Sequence, residues 1–319
     1  MVAAKHTAPG LPVLVVTLTL LVAACGSGNE VDTGGASRPT VVATTTILGD
    51  VVANVVGEEA EVVVLMPVGA DPHDFQASSS QVADINRADL VIANGLLLEE
   101  GLDDVLDAAV ADGARVVRLA PLLDPIPFGS ESSHDHEGEQ DHEGDDPHVW
   151  FDPIRMAEAA RLIAAELTPI APEVDWMGRA DSYATELVAA DTSIIETLAG
   201  IPSDRRRLVT SHEAFRYFAD RYDFVIIGTV IPAGSTLADP SSEELADLVR
   251  VMEREGVRAI FAETTQSTAL SEAIAAELGQ GVQVVSLYTG SLDEPGTGAD
   301  TLIGMLQTNA GRIATALDG

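Results

Sequence analysis

Short, continuous hydrophobic runs rich in β-branched residues recur along this chain, and a helical pattern follows most of them. The runs occupy residues 40–46, 61–66, 89–93 and 115–119 in the first half, and 207–210, 224–228, 257–261 and 282–286 in the second. Runs that are apolar throughout, rather than alternating, are typical of parallel strands that are covered on both faces. The sequence therefore predicts an α/β fold with two parallel sheets.

Helical patterns fill most of the intervals between these strands. They cover residues 47–56, 79–86, 101–111, 153–167, 241–255, 267–278 and 299–317. Between the two series, residues 171–198 contain one interior glycine, Gly178, and no proline after Pro172, which suits a first helical turn. We expect one rigid helix of about 40 Å there. The predicted architecture is two Rossmann-like α/β lobes joined by this helix, with a ligand site in the cleft between them.

The N-terminus has the pattern of a secretory signal. A weakly basic start precedes an apolar stretch, residues 11–24, that is too short for a comfortable membrane span and ends in small residues before Cys25. Cys25 is the only cysteine, so no intrachain disulfide forms. We expect cleavage before Cys25 and acylation of its thiol, which would anchor the protein to the extracytoplasmic face of the cell membrane.

These patterns divide the chain into five parts. They are a signal peptide (1–24), a lipidated cysteine with a flexible tether (25–38), an N-terminal lobe (39–170) that contains an acidic histidine-rich loop (131–145), a linking helix (171–200), and a C-terminal lobe (201–319). The chain has 51 acidic and 17 basic residues, a formal net charge of -34. This balance argues against a nucleic-acid partner, which requires basic patches. We expect a monomer.

Histidine is scarce and unevenly placed. The chain has seven: His6, His73, His134, His136, His142, His148 and His212. His73 and His212 each follow a predicted strand, and His148 precedes the helix that begins near Pro153. Ligands of open parallel sheets bind beyond the carboxyl ends of the strands, so these three side chains can meet in the cleft. Three imidazoles form a strong zinc site that a carboxylate or a water completes.

Acidic residues flank two of these histidines, namely Asp71 and Asp74 beside His73, and Asp146 and Asp152 beside His148. We expect them to orient the imidazoles from outside the site. The loop histidines have two interpretations. Either His134, His136 and His142 belong to a solvated acidic stretch, or they form an auxiliary metal-binding loop.

Four motifs resemble those of one protein family, the metal-binding solute receptors of zinc and manganese ABC importers (cluster A-I lipoproteins). They are Asp71-Pro72-His73-Asp74-Phe75, Asp146-Pro147-His148-Val149-Trp150-Phe151-Asp152-Pro153, Ser211-His212-Glu213-Ala214-Phe215-Arg216-Tyr217-Phe218 and Ala259-Ile260-Phe261-Ala262-Glu263. The resemblance covers essentially the whole chain after the signal. It implies that His73, His148 and His212 are metal ligands, that two lobes share one long helix, and that the partner is an importer permease.

Two positions bear on the metal. His212 stands where manganese receptors of the family often carry Glu, which favours Zn²⁺ over Mn²⁺ or iron, although copper and nickel also suit imidazoles. Gly290 stands where many members carry a ligand Asp. The fourth ligand is then Glu263, a water, or Asp293, which is the weaker candidate.

Two other functions fit parts of the pattern. Three histidines with an open position also describe a secreted zinc hydrolase, with Glu213 or Glu263 as general base. The sequence contains no His-Glu-x-x-His or Gly-x-Ser-x-Gly motif, so we expect a binding protein and not an enzyme. Cell adhesion or metal sensing at the surface is compatible with the same site.

Overall fold

A computed structural model describes residues 1–2, 4, 38–128, 144–279 and 281–318. Cys25, His134, His136 and His142 lie outside these described residues. The described residues from 38 onward form one compact unit. Within the described part of the chain, no helix has the length and apolar character needed to cross a membrane.

The first sheet has four parallel strands in the order β2-β1-β3-β4. Its strands are β1 (Thr40–Ala43), β2 (Glu61–Val64), β3 (Leu90–Ala93) and β4 (Val116–Arg118). The helices of this half are α1 (Thr46–Val56), α2 (Ser79–Arg87), α3 (Asp103–Ala111) and α4 (Pro153–Leu167). Together they form the first lobe.

The second sheet repeats this arrangement, with four parallel strands in the order β6-β5-β7-β8. After the connecting helix α5 (Trp176–Leu198), its strands are β5 (Arg207–Thr210), β6 (Val225–Thr229), β7 (Ala259–Glu263) and β8 (Gln283–Leu287). Its helices are α6 (Arg216–Tyr222), α7 (Ser242–Glu255), α8 (Ala269–Leu278) and α9 (Leu302–Leu317). The predicted fold class, two parallel-sheet α/β lobes, is confirmed.

The apolar runs are continuous because both faces of each sheet are covered. All four residues of β3 are fully buried. One hydrophobic core joins the inner faces of both sheets to α1, α4, α5 and α9. A smaller apolar cluster covers the other face of each sheet, beneath α2 and α3 in the first lobe and beneath α7 and α8 in the second. The shared core holds the two lobes as one body.

The long connecting helix begins later than the sequence predicts. The prediction placed its first turn at Pro172, but α5 begins at Trp176. The Asp175 side chain accepts a hydrogen bond from the Gly178 N–H (3.0 Å) and caps the helix, while Pro172 lies in the preceding turn. Along its length α5 packs against α1, α4 and α9, and so contacts both lobes.

One helix, α6, has no counterpart in the sequence predictions. Its seven residues make only two turns, which is too short for a periodic apolar stripe to be recognised. It begins within the His212 motif, at Arg216, and its buried Tyr217 and Phe218 pack into the core.

Candidate metal centre

Three histidines converge between the two sheets. His73 lies in the loop after β2, His148 precedes α4, and His212 comes two residues after the end of β5. Their exposed fractions are 3%, 1% and 2%. The ring centroids of His73 lie 5.5 Å from those of both His148 and His212, which are 4.9 Å apart. Each ring contributes one nitrogen to a set of three that all lie within 4.8 Å of one another.

The spacing of two of these nitrogens suits a shared ion. The Nε2 atoms of His148 and His212 are 3.1 Å apart. Two nitrogen ligands of a tetrahedral zinc ion, each with a Zn–N bond of about 2.0–2.1 Å, lie roughly 3.3 Å from each other. A transition-metal ion therefore fits between these rings with little movement of either one.

His148 is held from behind by Asp146. Asp146 Oδ1 accepts the His148 backbone N–H (2.9 Å) and lies 2.7 Å from its ring Nδ1. The carboxyl group keeps the ring proton on Nδ1, which leaves the Nε2 lone pair directed into the site. Burial lowers the pKa of His148, so the imidazole is neutral, as a ligand must be. Tyr217 donates its hydroxyl to the Asp146 carbonyl oxygen (2.7 Å) and fixes this turn.

His212 has an equivalent partner in Glu263, the last residue of β7. Its Nδ1 is hydrogen-bonded to Glu263 Oε1, and Glu263 Oε2 accepts the Thr289 hydroxyl (2.6 Å). Burial works against charge on both groups, but their mutual attraction raises the pKa of His212 and lowers that of Glu263. Both oxygens of Glu263 thus have partners, and the carboxylate lies behind the ring of His212.

His73 differs from the other two. Its Nδ1 and Nε2 are both buried and have no hydrogen-bond partner among the described residues. Burial, then the neighbouring His148 and His212, lower the pKa of His73 to about 3. A buried polar nitrogen without a partner costs free energy, and such groups are rare unless a ligand satisfies them. This unsatisfied ring is the feature that most directly indicates a bound cation.

The other acids near the motifs have different roles. Asp71 accepts the backbone N–H of His73 (3.0 Å) rather than contacting its ring. Asp74 is exposed. Asp152 caps α4 by accepting the Ile154 N–H (2.8 Å) and pairs with Arg155 (2.6 Å). Of the four flanking acids, the hydrogen bonds therefore assign only Asp146 to an imidazole.

Asp293, the other side chain that the sequence offers as a fourth ligand, forms hydrogen bonds outside the histidine cluster. Its carboxylate accepts the Tyr288 hydroxyl (2.7 Å) and the Glu294 N–H (2.8 Å). Gly290 packs directly against Pro72, since a Cβ atom at Gly290 would lie 2.5 Å from Pro72 Cδ. A side chain at Gly290 therefore requires the loop that carries His73 to move.

The fold and this site define a class, the two-lobed α/β proteins with a buried three-histidine metal centre between the lobes. The sequence model of the zinc-uptake complex component A periplasmic family matches residues 41–316. This chain belongs to that family.

The named relatives include proteins that bind two different metals. The manganese-binding lipoprotein MntA of Bacillus subtilis is 30% identical and aligns with 97% of this chain and 99% of its own length. The zinc-binding protein TroA of Treponema pallidum is 28% identical over 90% of this chain and 91% of its own. The solved structure of TroA superposes with a TM-score of 0.77 over 89% of this chain and 100% of that one, at 27% identity.

Proposed function

We propose that this chain is an extracytoplasmic receptor that binds one zinc ion at His73, His148 and His212 and delivers it to the permease of an ABC importer. The observation that carries the proposal is the meeting of three buried imidazoles, of which the His73 ring has no hydrogen-bond partner among the residues that the structure describes. Neutral imidazole nitrogens are strong ligands for zinc. Family membership supports the transport role.

Zinc is proposed over manganese because the ligand atoms are nitrogens. Carboxylate and water oxygens suit manganese better, and Glu263 directs its oxygens to His212 and Thr289. We propose that a water completes the shell and that Glu263 orients His212 from behind. A manganese or iron receptor is the alternative within the family, and it would require Glu263 to turn toward the ion.

Location and partners rest on the sequence and the relatives. We propose a lipid anchor at Cys25, a position on the outer face of the cell membrane, and a monomer that meets an importer permease. Relatives named as lipoproteins support the anchor. The auxiliary role of His134, His136 and His142 stays a prediction from the sequence.

The proposal is tested by stripping the purified protein of metal and titrating it with zinc and manganese separately. We expect one equivalent of tightly bound zinc and weaker manganese. We expect the affinity for zinc to fall about 100-fold or more in each of His73→Ala, His148→Ala and His212→Ala. This loss exceeds the 10–100-fold loss that is typical when a residue that only orients a ligand is replaced. Asp293→Ala is the matched control and should bind as the unaltered protein does.

Three results would contradict this assignment. Preferential binding of manganese would overturn the choice of metal. Zinc that remains bound in all three histidine variants would overturn the site. Turnover of ester or amide substrates by the zinc-loaded protein would favour the hydrolase alternative, in which the same histidines would hold a zinc ion that activates a water.

A further inference from the structure

The segment that carries His73, residues 67–74, belongs to the first lobe by sequence but is fastened to the second. We call it the His73 loop. The Gly69 N–H donates to the Ser291 hydroxyl (2.8 Å), just beyond β8. The Pro72 ring lies against Gly290, where a Cβ would come within 2.5 Å of Cδ. The loop therefore rests closely on the second lobe.

Asp71 makes the most extensive of these connections. Its Oδ1 accepts the His73 backbone N–H (3.0 Å). Its Oδ2 accepts the Thr236 hydroxyl (2.5 Å), from the segment between β6 and α7, and the Gln266 amide, from the segment between β7 and α8. One carboxylate thus joins the backbone of His73 to two separate segments of the second lobe.

His73 depends on its loop more than the other two histidines do. The Nδ1 atoms of His148 and His212 are each held by a carboxyl group, from Asp146 and Glu263. The His73 ring has no such partner among the described residues. Its position is therefore set by its backbone, which Asp71 ties across the cleft.

We propose that Asp71 is a positioning residue whose hydrogen bonds to Thr236 and Gln266 hold the His73 loop on the second lobe and slow the release of the metal ion. This rests on the proposed function, because it assigns to His73 the role of a ligand. We call these two hydrogen bonds, from Thr236 and Gln266 to Asp71, the tie. When the tie is broken, the His73 loop leaves the second lobe and takes His73 with it. His148 and His212 then hold the ion alone.

Two variants separate this tie from the negative charge of Asp71. Asp71→Asn removes the charge, but its oxygen still accepts the His73 N–H. Its amide donates to the Thr236 hydroxyl, which also accepts, and the Gln266 amide can rotate to present its oxygen. Asp74→Ala removes a charge from the same loop at an exposed position that makes no hydrogen bond to the second lobe in the described structure. Neither variant should release zinc more than about threefold faster, because the tie persists in both.

Two further variants break the tie. Asp71→Ala removes it entirely. The double variant Thr236→Val with Gln266→Ala removes only the partners, and it leaves both the charge and the His73 N–H bond in place. Both should release zinc roughly tenfold faster or more, the equivalent of losing one or two hydrogen bonds. Release is measured by stopped-flow transfer of zinc to an excess of chelator. The double variant also covers the case in which Asp71→Ala fails to fold.

A second readout uses the protein without metal. Hydrogen exchange of the Gly69 amide, which donates to Ser291, should be faster in the tie-breaking variants and unchanged in Asp71→Asn and Asp74→Ala. Wild-type release rates in the double variant, with unchanged exchange at Gly69, would overturn the inference and leave the receptor assignment intact. If the unaltered protein binds no zinc, the proposed function fails, and the exchange result alone decides whether the tie exists.

Discussion

The three histidines of the site are held in two different ways. His148 and His212 each have a carboxyl group behind the ring, which fixes the proton on Nδ1 and directs Nε2 into the space between the rings. Among the described residues, the His73 ring has no such partner, and its backbone N–H donates to Asp71. Two of the proposed ligands are therefore oriented in advance, and the position of the third depends on its loop. A receptor that must both bind and release its cargo benefits from this difference.

Replacing Glu263 distinguishes an orienting group from a ligand. We expect Glu263→Ala to weaken zinc binding about 10–100-fold, because His212 loses the partner that directs its ring. Glu263→Gln should retain most of the affinity, since the amide oxygen still accepts from Nδ1. Competition titration against a chelator of known affinity measures both. Equal losses in the two variants would instead indicate that a Glu263 oxygen coordinates the ion.

At the scale of elements, Asp50 of α1 joins helices from three parts of the molecule. Its Oδ2 accepts the N–H of Leu302 (3.0 Å), the first residue of α9, and the hydroxyl of Tyr183 (3.1 Å), which lies on α5. Burial raises the pKa of Asp50, although these hydrogen bonds oppose the shift. The protonated form is therefore favoured in the folded protein relative to the unfolded chain.

This shift predicts a pH dependence of stability. A raised folded-state pKa contributes stability below the unfolded pKa of about 3.9, and that contribution is lost as the pH rises through the folded value. Asp50→Asn keeps an oxygen acceptor but does not titrate. We expect the free energy of unfolding of the unaltered protein, minus that of the variant, to fall as the pH rises above about 4. Urea unfolding at several pH values measures this difference, and a constant value would contradict it.

The start of α5 shows where local patterns fail to locate a boundary. Pro172 and Asp175 are both good residues for a helix start, and the sequence offers no means of choosing between them. Burial of Trp176 in the core decides between them: its indole N–H donates to the nearby Ala171 carbonyl oxygen (2.8 Å), which holds residues 171–175 in a turn outside the helix.

At the scale of the whole molecule, the metal site lies on a body whose two lobes share one core. An ion that bridges His212 to the first-lobe histidines binds the folded state and not the unfolded chain. Free zinc at 1,000 times its dissociation constant should therefore raise the free energy of unfolding by about 4 kcal/mol.

Thermal denaturation with zinc, with a chelator, and without either measures this stabilisation. We expect a large increase in the unfolding temperature with zinc, reversed by the chelator. His212→Ala, which removes the only second-lobe imidazole of the cluster, should lose most of the increase. A full increase in that variant would show that the stabilising ion binds elsewhere.

The two-lobed parallel α/β architecture and the three histidines at its centre can be predicted from the amino-acid sequence alone. Both depend on local patterns, namely apolar runs of strand length, helical spacing between them, and motifs in which His73, His148 and His212 follow or precede recognisable elements. The apolar runs and the helical spacing involve residues that are neighbours in the sequence. Parallel strands share one chain direction, so residues that follow them lie at the same edge of the sheet.

The pairing of acidic groups with histidines, in contrast, depends on how the two lobes pack. Glu263 meets His212 from 51 residues away, and Asp71 reaches Gln266 across 195 residues. In the sequence, Asp71, Asp146 and Asp152 look alike, because each is an acid that lies within four residues of a motif histidine. Their roles differ because each carboxyl group forms hydrogen bonds with the partners that the packing of the two lobes places beside it. A local sequence pattern contains no information about partners that are distant in the sequence.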